Sequence, residues 1–112
     1  MMTGTQRIKA LLDGSPIDRT PIGGGYHMPL VDRNVTDFPR ELIASTDLNK
    51  WDFIKIMTNG HFYTEAYGGD IAFSKVNTMW SGTVKRYPIR SAADARNLPV
   101  LDIDNPVWQR EL

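Results

Sequence analysis

Apolar residues recur at helical spacing in the first dozen positions. Ile8, Leu11 and Leu12 share one face, and Thr5 stands where a capping hydroxyl is wanted. The pattern predicts a helix over residues 6–13, stopped at Gly14, where a left-handed C-terminal residue is favoured. Pro16 and Pro21 then forbid helix through the connector. Residues 21–28 begin as a strand and pass into Gly23-Gly24-Gly25, a run that loses entropy on ordering and offers no side chain to pack. A second helical pattern opens at Asp37 as N-cap, carries Pro39 in its first turn and runs to about Thr46. Phe38, Leu42 and Ile43 are its expected buried stripe. Residues 51–57 (Trp-Asp-Phe-Ile-Lys-Ile-Met) read as a strand apolar enough to lie mostly inside a sheet.

After Asn59-Gly60 a short helix can carry Phe62, Ala66 and Tyr67 on one face before Gly68-Gly69 ends it. Residues 71–73 and 83–87 predict two strands of a hairpin, joined by a loop through Asn77 and Gly82. Ser91 with Asp94 forms a capping-box-like start for a helix reaching Leu98, ahead of Pro99. The remainder, with Trp108 and Pro106, is expected to be irregular and to turn helical at its end. The order helix–strand–helix–strand–helix–hairpin–helix is that of an α/β chain.

Bulk properties narrow the function classes. At 112 residues and 41% hydrophobic content, the chain is expected to form a single domain, 1–112. Thirteen basic and thirteen acidic residues cancel, so neither nucleic acid nor an anionic membrane is an expected partner. Apolar runs are too short to span a bilayer, and no signal-type segment opens the chain. With no cysteine there is no disulfide, thiolate nucleophile or Cys-ligated zinc, and the expected compartment is the cytoplasm.

The string Arg7-Ile8-Lys9-Ala10-Leu11-Leu12-x-Gly14-x-Pro16-Ile17-Asp18-Arg19-x-Pro21-Ile22 resembles the opening of the uroporphyrinogen decarboxylase family, which also includes methylcobalamin:coenzyme M methyltransferases. Trp51 to Ile56 followed by Glu65-Ala66-Tyr67-Gly68 is similar to that family's second barrel strand and loop. Tyr87-Pro88-Ile89-Arg90-Ser91, with Asp94 and Leu98, is similar to the segment after its hairpin. The resemblance implies the N-terminal part of a (β/α)8 barrel. Such a barrel needs roughly 250 residues, so an incomplete barrel is expected here, a small α/β or α+β unit. Its unpaired strand edge and uncovered faces favour a homo-oligomer or a complementary chain.

In a barrel, residues at the C-terminal ends of strands face the site. The resemblance sets Gly24-Gly25-Tyr26-His27-Met28-Pro29 at the family's Arg-Gln-Ala-Gly-Arg-Tyr motif, whose arginines hold substrate carboxylates. Both arginines are absent here, and Arg33 downstream is the candidate replacement. It sets Met57-Thr58-Asn59-Gly60 at the family's Phe-Ser-Asp motif, with Asn59 at the position of the key aspartate. Asn hydrogen-bonds but carries no negative charge, so it cannot stabilise a cationic pyrrole intermediate in the same way. Asn59 is therefore the candidate catalytic position, with Tyr26, His27, Arg33 and His61 as candidate substrate-binding residues.

Neither His27 nor His61 has a second ligand at helical spacing, so no metal site is expected from this chain. Gly23-Gly24-Gly25 lacks the spacing of a nucleotide-binding loop. Glu65 and Asp70 could pair as acid and base, though solvated carboxylates are the commoner outcome. Lys85, Arg86 and Arg90 read as an exposed basic face. The expected function is that of a divergent decarboxylase-family protein, inactive as this portion alone, taking a tetrapyrrole-type small molecule only in a complete barrel. The alternatives are part of a corrinoid-dependent methyltransferase, where cobalamin and zinc would belong to a longer parent, and a non-catalytic oligomerising chain.

Overall fold

A computed structural model describes residues 1–111. They form a small mixed α/β arrangement in two compact units: residues 1–26 with 39–56, and residues 27–38 with those from 57 onward.

In the first unit, α1 (Gly4–Leu12) starts earlier than the sequence pattern predicts, because Thr3 rather than Thr5 caps it. The Thr3 hydroxyl accepts from the Gln6 amide at 3.2 Å, and the Gln6 side chain accepts from the Thr3 amide at 2.8 Å. This reciprocal box needs a Gln or Glu three residues on, which Thr3 has. Gly14 closes the helix with φ of 68°, while the Ser15 amide bonds the Ala10 carbonyl at 2.8 Å.

One buried guanidinium ties this unit together. Arg7, 2% exposed, donates from Nε and Nη2 to both oxygens of Asp18 (2.6 and 2.9 Å) and from Nη1 to Asp52. Arg19 grips Asp52 from the other side at 2.6 and 3.0 Å, and the Ile22 amide donates to the same carboxylate at 2.8 Å. The fork of Arg matches paired carboxylates in a way that the point charge of Lys does not.

β1 (Gly23–Gly24) runs parallel to β2 (Phe53–Ile54), in register Gly23 with Phe53 and Gly24 with Ile54. The glycines that weaken a strand in isolation are the paired residues here. A Cβ at Gly24 would fall 2.5 Å from the Trp51 ring, and one at Gly23 would meet the Phe53 ring, so bare backbone lets two aromatic rings lie against the strand.

The connection between them, α2 (Asp37–Leu48), makes a strand–helix–strand unit with parallel strands. Asp37 is the first helical residue rather than the cap. The Asn34 side chain takes that role, accepting from the amides of Thr36 and Asp37 at 2.9 Å each. The helix continues to Leu48 and is closed by Lys50 at φ of 56°, with the Trp51 amide bonding the Thr46 carbonyl at 3.1 Å. Leu42 and Ser45 form its buried face, Phe38 is half-buried, and Ile43 is exposed, which corrects the expected stripe.

The expectation that residues 51–57 lie inside a sheet also fails. β2 is two residues long, pairs with β1 in a two-stranded sheet, and leaves Phe53 and Ile54 44% and 40% exposed. Of the large apolar side chains among the described residues, only Met28 and Leu42 are buried.

Acid should loosen this unit. The Arg7 hydrogen bonds, helped by the Met2 amide, hold the Asp18 carboxyl well below the usual carboxylate range. Arg19 and the Ile22 amide lower Asp52. A depressed folded pKa gives stability that is present above the unfolded value, near 4, and lost as pH falls through the folded value. The Arg7 Nε–H NMR signal, protected at neutral pH, is expected to lose protection only below about pH 4. Loss between pH 5 and 7 would contradict this assignment.

In the second unit, α3 (Phe62–Ala66) packs on α5 (Pro106–Glu111) through rings. Trp108 meets Phe62 edge-on at 5.5 Å and Tyr63 at 5.3 Å. Asn105 caps α5, its side-chain oxygen accepting from the Val107 amide at 2.9 Å. β3 (Asp70–Phe73) and β4 (Gly82–Arg86) form the expected antiparallel hairpin, with an irregularity between Asp70 and Ile71. α4 (Ala92–Arg96) is capped by Ser91 as predicted, but ends two residues before Leu98. No helix among the described residues is long and apolar enough to cross a membrane.

Candidate functional site

Among the described residues, the second unit holds three buried polar residues, Asp32, Asn59 and Ser81. Directly after β1, a tight turn at Met28 bonds its carbonyl to the amides of Val31 (2.8 Å) and Asp32 (2.7 Å). This turn carries Asp32 inward until its carboxyl group is buried, 4% exposed. There the Ser81 hydroxyl, at the start of β4, donates to Asp32 Oδ2 at 3.1 Å. Beside Ser81, the Gly82 carbonyl bonds His61 Nε2 at 3.0 Å. The His61 amide in turn donates to Asn59 Oδ1 at 2.8 Å. Asn59 is fully buried. His27 flanks these residues, its ring carbon Cε1 lying 3.8 Å from where a Cβ on Gly60 would stand.

Three polar atoms here are buried without a partner: His27 Nδ1, Asp32 Oδ1 and Asn59 Nδ2. Burial pushes the Asp32 carboxyl above its ordinary pKa, against the Ser81 hydrogen bond and the charges of His27, Arg33 and Arg110. Folded proteins satisfy nearly all buried polar groups, so these three atoms are the ones in this neighbourhood left to pair with water or a ligand. No family model, curated protein or solved structure matches this chain.

The residues named from sequence fall in different settings. Asn59, His27 and His61 are brought together in this neighbourhood. Tyr26 belongs to the first unit, where its ring meets Trp51 edge-on at 6.2 Å. Arg33 lies in the second unit. It donates to Glu65 at 3.0 Å and stacks 3.6 Å above the centre of the Phe73 ring.

Glu65 is not the solvated carboxylate that its sequence context favours. Arg110 holds it through both oxygens at 3.2 and 2.8 Å. Burial raises its pKa, but the bonds and charge of Arg110, with those of Arg33, outweigh that and leave it below its ordinary value. Asp70 stands exposed at the start of β3, at its irregular end, and Arg86 is turned to the Gly68 carbonyl at 2.9 Å.

Sequence reasoning missed Asp32 and Ser81. They lie 49 residues apart, and each looks like an ordinary loop residue until the hairpin meets the turn. The one local signal is Pro29 after Met28, which favours a turn at this point. Among the described residues no three His, Asp or Glu side chains converge as metal ligands.

Proposed function

We propose that this protein is a divergent member of the uroporphyrinogen decarboxylase family, contributing the opening strands of a (β/α)8 scaffold and one polar wall of its small-molecule pocket. The observation that carries the reading is the parallel pair β1–β2 joined through α2, with His27 three residues beyond the first strand and Asn59 five beyond the second. Barrels gather their chemistry at those strand ends.

Asn59 is uncharged, and the segment around His27 lacks the family's paired arginines, so the reading is of a pocket and not of an authentic decarboxylase. Cobalamin and zinc, if the parent belongs to the methyltransferase branch, would be held by residues outside this chain. The exposed sheet is covered by another polypeptide, a second copy in the purified protein. The protein is taken as cytoplasmic on its cysteine-free, charge-balanced composition.

A spectroscopic assay with uroporphyrinogen tests the chemistry. No coproporphyrinogen is expected from the chain alone. Measurable product would overturn the reading of Asn59 as a departure from that activity.

A further inference from the structure

We propose that the cluster of His27, Asp32, Asn59, His61 and Ser81 is a subsite for a neutral group that pairs an N–H donor with a carbonyl acceptor, such as a carboxamide or lactam, and that it rejects carboxylates. The proposal rests on the reading of this cluster as a pocket wall. It does not depend on any turnover.

The bonding already present dictates the class. Asn59 spends its oxygen on the His61 amide, so its unpartnered Nδ2 can only donate. Asp32 has Oδ2 occupied by Ser81, so its unpartnered Oδ1 is the acceptor. His27 Nδ1 can serve as either, according to its tautomer. A ligand must therefore bring both a donor and an acceptor.

A carboxylate brings acceptors only, and sets a second negative charge beside Asp32 in a desolvated place. An ammonium brings donors only and leaves Asn59 unmet. The nearby cations cannot rescue a carboxylate, because Arg33 and Arg110 both bond Glu65. Asn59 is 0% and Asp32 4% exposed, whereas both histidines are half-buried.

The test is an NMR titration of the full chain with acetamide and, separately, acetate, above the imidazole titration range. The Asn59 side-chain NH₂ and the His27 ring nitrogens are the readouts. Acetamide is expected to shift both and to bind at least about tenfold more tightly than acetate. Asp32→Asn keeps the shape and removes the like charge, so acetate should come within about twofold of acetamide.

Equal shifts by both probes in the unaltered protein would overturn the proposal. So would no Asn59 shift with either, which would leave the cluster as a water site. If Asp32→Asn fails to fold, judged by loss of the β3–β4 amide signals, the acetamide–acetate comparison in the unaltered chain decides alone. Product in the uroporphyrinogen assay would overturn the family chemistry without touching this result.

Discussion

Replacing Arg7 with Ala is expected to lower the melting temperature of the first unit by more than about 10 °C, the largest effect of any single substitution in that unit. The reason is the position of the charge. Arg7 is almost wholly buried and supplies three hydrogen bonds to two carboxylates and one to the Met2 carbonyl, at 2.7 Å. Removing one partner of a buried ionic network costs far more than the network itself contributes, since the remaining charges stay desolvated. Asp52, with a side chain 4% exposed, would be left with Arg19 alone among its cationic partners.

Arg7→Lys should recover only part of the loss, because an ammonium cannot bridge two carboxylates in one plane. Arg19→Ala should cost less than Arg7→Ala, its side chain being 43% exposed. Melting followed by the amide signals of α1 and β2 checks all three. A change within about 2 °C for Arg7→Ala would show that the network is not what holds the unit.

The second large effect concerns association. Phe53 and Ile54, on a two-stranded sheet, are 44% and 40% exposed, and Leu48 and Ile56 of the same unit are 80% and 66% exposed. An uncovered apolar sheet with free edges seeks a partner. Ile54→Lys sets a charge on that face and should weaken self-association at least tenfold, about 1.4 kcal/mol, in dilution experiments. Lys85→Ala, an exposed change on the hairpin, should leave it unchanged.

What could be read from the sequence was what neighbouring residues decide. Gly14 as a helix stop, Ser91 as a cap, the turn into α3 and the hairpin across residues 70–86 are all local signals, and the structure forms them. The errors at helix starts have the same origin. Thr3 and Asn34 displace Thr5 and Asp37 because side-chain hydrogen bonds a few residues away select the cap.

The burial of residues 51–57 was misjudged because an apolar run reports what a strand could bury, not whether a layer exists to bury it against. The two polar centres were illegible for a further reason. Arg7 meets Asp52 across 45 residues, and Asp32 meets Ser81 across 49. No periodicity or spacing marks such pairs. Of the candidate site, Asn59 is named from the family resemblance, and His27 and His61 from strand-end position in the barrel it implies, while the Asp32 carboxylate is visible only in the fold.

Sedimentation equilibrium of the unaltered chain, with circular dichroism over the same dilution series, bears most directly on the claim that these strands belong to a larger closed scaffold. The account predicts an associated species at micromolar concentration that loses ordered structure as it dissociates. A monomer that stays folded and melts cooperatively at every dilution would contradict it.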